Sequence, residues 1–138
     1  MALVMDAGPL YASIDKRDAA HSKCVDLLRL TSEQLVIPAP VLTEVGYWID
    51  KWLDPRLTVA LIDDIISGSY RVEELQPIDY VRIRTLCEQY ADARVGFVDA
   101  AVLAVVERLN EPKLATLDHR HFGMMRPRHV AALQLLPE

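Results

Sequence analysis

The sequence is poor in the features that mark secreted, membrane-spanning or disulfide-bonded proteins. Its 138 residues contain two cysteines, Cys24 and Cys87, and these lie in no Cys/His pattern with zinc-binding spacing. The longest apolar stretches are too short to span a bilayer, and the amino-terminal residues lack the basic region, long apolar region and cleavage site of a signal peptide. We therefore expect a single domain over residues 1–138, a cytoplasmic location without membrane association, and both cysteines in the core.

Positive charge is also scarce. The chain has 15 Lys and Arg residues against 20 Asp and Glu residues, which gives a net charge of −5. Because affinity for phosphate comes largely from lysine and arginine, such a chain is a poor general binder of nucleic acid. A nucleic-acid function would therefore depend on a local basic patch, on metal ions, or on both.

Short apolar runs alternate with segments of helical periodicity along the whole chain. Continuous apolar runs predict buried strands at 3–6, 35–37 and 113–117, an alternating segment predicts an edge strand at 70–75, and the tail at 130–136 is a candidate for a last strand. Helices are predicted over 10–14, 21–30, 40–52, 57–66, 77–90 and 97–109. Within 57–66, the residues expected to face the core are Leu61, Ile62, Ile65 and Ile66. This alternation predicts right-handed βαβ units, and hence a three-layer α/β/α fold of the α/β class with a mainly parallel four- to five-stranded sheet.

Four acidic residues occupy positions where a lone carboxylate is unexpected. Asp6 and Asp118 each follow an apolar strand, with a helix expected after Asp6 and a polar loop after Asp118. The carboxyl ends of neighbouring parallel strands meet at one edge of a sheet. Glu44 and Asp99 lie in the apolar stripes of two helices, where burying a charge is costly unless an opposite charge compensates it. Convergence of the four would create a pocket for a divalent cation, which indicates metal-dependent phosphodiester chemistry.

Each of these acids also has a simpler explanation. Asp6 and Asp118 could be turn residues or helix caps, where aspartate is common, and Asp99 could be an N-cap. Glu44 is harder to explain in this way, because its neighbours one turn away are apolar. Asp92 lies either at the edge of the same pocket or in an unrelated loop.

Four sequence motifs carry these acids in order: LVMDAGPLYA with Asp6, PAPVLTEV with Glu44, GFVDAAVLAVVERL with Asp99 and LATLDHRHF with Asp118. With these motifs, and with the closing RPRH and LLP, the chain resembles PIN-domain nucleases over essentially its full length, and among them the short bacterial VapC-type toxins. The resemblance implies a single PIN domain, a magnesium- or manganese-dependent endoribonuclease acting on RNA, and a cognate antitoxin that binds and silences it. The implied assembly is a homodimer or a toxin–antitoxin hetero-oligomer.

One feature departs from the family pattern. A small hydroxyl or amide residue usually follows the first aspartate of the family, but here Ala7-Gly8-Pro9 follows Asp6. The hydrogen bond that such a residue can give would have to come from elsewhere, and Ser13 and Thr116 are the candidates. Thr116 lies two positions before Asp118 and therefore on the same side of its strand.

The expected chemistry is hydrolysis by a water molecule. We expect Asp6 and Asp99 to bind Mg²⁺ or Mn²⁺ directly, and Asp118 to bind it directly or through water. Glu44 would orient or deprotonate the attacking water. Substrate contacts are expected from Thr116 and from a basic cluster, for which a solvated loop is the alternative. The cluster comprises His119, Arg120, His121, Arg126, Arg128 and His129, and Lys16 and Arg17 would extend it.

Two other functions fit the same acids. A metal-dependent DNA nuclease or phosphatase would use a similar pocket, although a haloacid-dehalogenase phosphatase would need an aspartate where Gly8 stands. A PIN-like binding module without activity is the non-enzymatic alternative. For a partner, Tyr47, Trp48, Trp52 and the helix at 57–66 offer apolar surface to an antitoxin helix or a second copy, unless they pack in the core.

Overall fold

The computed structural model describes residues 1–138 as five strands and seven helices. The strands are β1 (Ala2–Met5), β2 (Gln34–Pro38), β3 (Tyr70–Glu73), β4 (Lys113–Ala115) and β5 (Gln134–Leu136). The helices are α1 (Ala7–Ile14), α2 (His21–Leu30), α3 (Ala39–Trp52), α4 (Arg56–Ile66), α5 (Pro77–Gln89), α6 (Phe97–Arg108) and α7 (His119–Met124), and a 3-10 turn at Ala91–Ala93 precedes α6. No helix combines the length and the apolarity needed to cross a bilayer.

All five strands form one parallel sheet in the order β3-β2-β1-β4-β5. The chain moves outward from β1 to β3, returns past β1 to β4 and ends at β5. Right-handed connections then place α1 to α4 over one face of the sheet and α5 to α7 over the other. The predicted three-layer α/β/α fold is confirmed, and so are the edge strand β3 and the last strand β5.

The centre of the fold is β1 together with α6. Leu3, Val4 and Met5 are at most 1% exposed, because β1 is the middle strand and is covered on both faces. Every residue of α6 from Ala100 to Val106 is buried. This burial explains why the segment is apolar all round rather than along one stripe.

Two local expectations are wrong. Asp118 leads into the short helix α7 and not into a loop, because its side chain caps that helix. In α4, Ile62 and Ile66 are 48% and 78% exposed, while Leu61 is buried. The helix packs mainly against α3 and the edge strand β3, so one narrow stripe is enough to attach it and its other apolar residues face outward.

The carboxyl edge of the sheet is where the chain leaves β1 and β4. The Asp6 amide donates to the Ala115 carbonyl and the Thr116 amide donates to the Leu136 carbonyl, both at 2.8 Å. The parallel hydrogen-bond ladder thus continues past the ends of the strands and fixes the backbone of Asp6 and Thr116. Helices α3 and α6 run back along the sheet, so their first turns lie at this same edge.

Candidate active site

The four acidic residues predicted to converge line one cleft at the carboxyl edge of the sheet. The cleft has a volume of about 410 Å³. Its eight lining residues are Asp6, Ala7, Gly8, Glu44, Trp48, Asp99, Leu117 and Asp118. The acids come from four separate segments: the ends of β1 and β4 and the first two turns of α3 and α6. Their convergence is therefore a product of the sheet topology.

Asp6 is the most buried acid of the cleft, with 7% of its surface exposed. Its Oδ1 accepts a hydrogen bond from the Ala7 amide and its Oδ2 accepts one from the Thr116 hydroxyl, both at 2.8 Å. Burial, with smaller contributions from the charges of Asp99 and Glu44, raises the pKa of Asp6 to about 6, although the two hydrogen bonds lower it. Asp6 is thus a cap of α1 and also a carboxylate that resists ionisation.

Thr116 links two of the acids. Its hydroxyl donates to Asp6 and accepts from the Asp118 amide at 3.0 Å. It gives Asp6 the hydrogen bond that Ala7 cannot give from its side chain, whereas the Ser13 hydroxyl donates within its own helix, to the Leu10 carbonyl. Thr116 is 0% exposed and its hydroxyl is engaged by the two acids. The expectation that it also contacts the substrate stays a prediction.

Glu44 and Asp99 are half-buried carboxylates, and both have a raised pKa. Burial is the main cause in both cases. The negative charge of Asp118 raises the pKa of Asp99 further, and the negative charge of Asp99 does the same for Glu44. Asp99 is the third residue of α6, whose N-cap is Gly96, so the alternative that Asp99 is the N-cap is wrong. The first turn of a helix still favours its negative charge.

Asp118 is held by His121, which lies one turn further along α7. Asp118 Oδ1 accepts from the His121 amide at 3.0 Å, and Oδ2 lies 2.8 Å from His121 Nδ1. His121 Nε2 lies 3.0 Å from the Ala93 carbonyl. Both ring nitrogens therefore face acceptors, and both hydrogen bonds form only when the ring carries two protons.

The pKa values of this pair follow from that geometry. The hydrogen bond to Asp118 is the main cause that raises the pKa of His121, and the Ala93 carbonyl adds to it. Burial alone would raise the pKa of Asp118, but the hydrogen bonds from His121 lower it below its ordinary value. His121 also lies 3.8 Å from Asp99 Oδ2, so the ring compensates two acids when it is protonated. His121 holds Asp118, and its expected contact with the substrate stays a prediction.

The donor set fits a hard divalent cation. One donor atom each from Asp99, Asp118 and His121 lie within 4.8 Å of one another. Carboxylate oxygens are preferred ligands of Mg²⁺ and Mn²⁺, and both nitrogens of His121 are already hydrogen-bonded. The carboxylates are therefore the better ligands. Asp6 is not a member of this group. The sequence analysis expected Asp6 and Asp99 to be the direct cation ligands, whereas the structure brings Asp99 closest to Asp118 and His121.

The expected basic cluster is divided by the structure. The Arg126 amide donates to the Tyr90 hydroxyl at 3.0 Å, and the Arg128 amide donates to Glu107 Oε2 at 2.7 Å. Glu107 follows Asp99 by eight residues, or ~12 Å along α6, so Arg128 lies toward the opposite edge of the sheet. The reason is topological, because the chain must return to the amino edge before β5 can run parallel to β4.

Six other charged residues considered for the site do not line the cleft. These are Lys16, Arg17, Asp92, His119, Arg120 and His129. Of these, Arg120 lies close enough to Asp118 for its positive charge to act on that carboxylate, and it is exposed. Asp92 is exposed in the 3-10 turn before α6. Arg120 is thus the best placed of the basic residues to meet a phosphate at the mouth of the cleft.

Sequence reasoning assigned Trp48 to a partner surface and did not consider Leu117, yet both line the cleft. Trp48 follows Glu44 by four positions, a spacing that puts two side chains on one side of a helix. That signal was available in the sequence. The role of His121 depends on helix α7, which the sequence analysis did not predict.

A parallel sheet with an acid-lined cleft at its carboxyl edge defines a class of α/β domains that bind their ligand beyond the strand ends. Comparison with known proteins identifies the family within this class. The chain belongs to the PIN domain family, whose model matches residues 3–125. The resemblance found in the sequence motifs is confirmed at this level.

The relatives are distant in sequence, and the solved structures among them share the fold. Ribonuclease VapC26 of Mycobacterium tuberculosis is 22% identical over 125 residues, which cover 91% of this chain and 93% of that protein. The crystal structure of VapC20 of Mycobacterium tuberculosis, a sarcin–ricin loop cleaving toxin, matches with a TM-score of 0.75 and 20% identity over 81% of this chain and 86% of its own. VapBC2 of Rickettsia felis, bound to a promoter DNA fragment, matches with a TM-score of 0.71 and 16% identity over 98% and 97%.

Proposed function

We propose that the protein is a Mg²⁺- or Mn²⁺-dependent endoribonuclease and the toxin of a toxin–antitoxin pair. The observation that carries this proposal is the cleft in which four carboxylates from four separate segments meet. No lysine or arginine forms an ion pair with any of them, and His121 is their single basic partner. The distant relatives named as a ribonuclease and as a sarcin–ricin loop cleaving toxin support RNA as the substrate.

Asp99 and Asp118 would hold the cation, with Asp6 behind them as a further ligand. The bound cation would lower the pKa of a water molecule and offset the negative charge that develops on the phosphate. Glu44 would accept a proton from the attacking water, and its raised pKa makes it a stronger base than an exposed glutamate. His121 keeps Asp118 in place, and Arg120 meets the phosphate chain at the mouth of the cleft. Hydrolysis by water leaves a 5′-phosphate and a 3′-hydroxyl.

An antitoxin partner is supported by the kind of structures that this fold matches. They include the VapBC2 complex and a toxin–antitoxin complex from Klebsiella pneumoniae. This chain carries a set of large apolar side chains on α3 and α4 that are between 48% and 78% exposed: Tyr47, Trp52, Val59, Ile62 and Ile66. Exposed apolar patches mark interfaces. An apolar antitoxin helix or a second copy of the chain would cover this patch.

The experiment is an RNA cleavage assay with purified protein. We expect cleavage with Mg²⁺ or Mn²⁺, none after chelation, and products that carry a 5′-phosphate. Asp6→Asn should lose cleavage, while Asp92→Asn, an exposed acid that does not line the cleft, should retain it. Equal cleavage of DNA would favour the DNA nuclease, and 2′,3′-cyclic phosphate products would contradict hydrolysis by water. A parent protein that cleaves neither polymer would favour the binding module.

A further inference from the structure

The cleft has an apolar wall that the chemistry of the acids does not use. Among its lining residues, Trp48 and Leu117 are large and apolar, and Leu117 is 40% exposed. A site for a cation and one phosphate needs polar ligands only. The cleft volume of about 410 Å³ falls within the roughly 300–1,000 Å³ of pockets that hold drug-sized ligands. There is thus room for a base and a sugar beside the phosphate.

Trp48 is held in a fixed position beside the acids. It follows Glu44 by one helical turn, so both side chains reach the same cleft. Its ring packs edge-to-face against Tyr11, with ring centroids 5.5 Å apart and an angle of 81° between the planes. The Tyr11 hydroxyl donates to Asp15 Oδ2 at 2.7 Å, which fixes the supporting ring. Trp48 itself is only partly buried, so part of the indole stays open to the cleft.

Leu117 forms the other side of the wall because Gly8 has no side chain. A Cβ atom on Gly8 would lie 3.2 Å from Leu117 Cβ and 3.3 Å from Cγ. The glycine therefore lets Leu117 lie close to the start of α1. An aromatic ring and an aliphatic side chain beside the proposed cation site suit a flat base attached to a phosphate that the cation would bind.

We propose that Trp48 is a substrate-binding residue on which an unpaired nucleobase next to the scissile phosphate stacks, with Leu117 at the edge of that base. The inference rests on the proposed RNA cleavage and specifies its substrate as single-stranded RNA. Aromatic side chains stack on every base through their π-faces, so the contact selects unpaired bases rather than a sequence. Loss of such stacking should weaken substrate binding roughly 10-fold or more.

Tryptophan fluorescence tests the contact without cleavage. Trp48 and Trp52 are the two tryptophans of the chain, so Trp52→Phe leaves Trp48 as the single reporter. Combined with Glu44→Gln, which removes the proposed base and keeps the carboxylates that would hold the cation, and studied with Mg²⁺, this protein should show quenching on addition of hexaadenylate. An abasic hexamer of the same charge should cause little quenching. The matched control is Trp48→Phe with Glu44→Gln, in which Trp52 reports and should respond to neither oligonucleotide.

Kinetics provide the second measurement. In the protein with its acids intact, Trp48→Leu should raise KM for single-stranded RNA roughly 10-fold with little change in kcat, and Trp48→Phe should restore most of the affinity. Circular dichroism melting separates this effect from a loss of fold. Equal quenching by the two oligonucleotides, or an unchanged KM in folded Trp48→Leu, would overturn the assignment of Trp48.

The two proposals fail in different ways. Metal-dependent cleavage without base-dependent quenching would leave the nuclease standing and remove Trp48 from its substrate site. Base-dependent quenching in a protein that cleaves no RNA would keep Trp48 as a base-binding residue and overturn the proposed nuclease.

Discussion

Acidic side chains have different partners at the two ends of helix α6. At its start, Asp99 meets Asp6, Glu44 and Asp118 in the cleft, with one histidine as the basic partner. At its end, Glu107 accepts from Arg82 at 2.7 Å, and Arg108 binds two other acids at 2.9 and 3.0 Å. The difference teaches which acids stabilise the fold and which are available to a ligand. Paired acids at one end fasten α5 and β3 to α6, whereas the crowded acids at the other end repel one another.

The largest expected effect is on the rate of RNA cleavage, which should depend on the acid at the start of α6 and not on the acid at its end. Asp99→Asn should reduce cleavage roughly 1,000-fold or more, because several kcal/mol of transition-state stabilisation depend on the cation. Glu107→Gln, at the opposite end of the same helix, should leave kcat per folded molecule unchanged. Single-turnover cleavage of labelled RNA measures both. Comparable losses in the two variants would remove the distinction between the ends.

The second largest effect concerns stability, where Glu107→Gln should be the more damaging of the two substitutions. Arg82 and Glu107 are 11% and 10% exposed, and breaking a buried pair from one side leaves the partner charge uncompensated. Glu107→Gln should therefore lower the free energy of unfolding by about 3 kcal/mol. Asp99→Asn should leave it equal or higher without metal, because one repelling charge is gone. Urea denaturation decides the matter, and a Glu107→Gln protein as stable as the parent would contradict the structural role.

The pH dependence of stability sharpens the comparison. The pKa of Asp6 rises from 3.8 to about 6 on folding, so the native state holds this proton more tightly than the unfolded state. The resulting stability is complete below the lower value and is lost as pH rises through the higher one. A shift of about two units corresponds to about 3 kcal/mol.

Asp6→Asn removes this titration. Without divalent ions, its free energy of unfolding should fall less than that of the parent between about pH 4 and pH 7. Some decline should remain, since Glu44 and Asp99 also have raised pKa values. Urea titrations across this range measure the difference, and parallel curves for the two proteins would show that Asp6 ionises freely.

The smallest effect is stabilisation by the cation. Mg²⁺ at ten times its dissociation constant should stabilise the parent by about 1.4 kcal/mol, because it binds the native state alone. Glu107→Gln should keep this increment and Asp99→Asn should lose it. Thermal melting with and without Mg²⁺ gives the values. An equal increment in all three proteins would place the binding of Mg²⁺ outside the cleft.

The cleft was predicted from acidic residues that stand among apolar residues in the sequence. Asp6 and Glu44 stand out because each is an acid among apolar residues, and such local contradictions are visible without a structure. The motifs around them resemble PIN-domain nucleases, and the family is confirmed. The basic residues were expected to form one cluster, but they do not. Arg120 and Arg128 are close in sequence, and the return of the chain to the amino edge of the sheet separates them in space.

Local patterns determined the order of strands and helices, the buried character of β1 and α6, and the identity of the four acids, because periodicity and burial depend on neighbouring residues. Only the tertiary structure decided that His121 holds Asp118 and reaches Ala93, that Thr116 bridges two acids, and that Trp48 closes the cleft. These contacts join segments up to 110 residues apart. Their geometry depends on how strands pair and helices cross, which side-chain spacing along one segment does not specify.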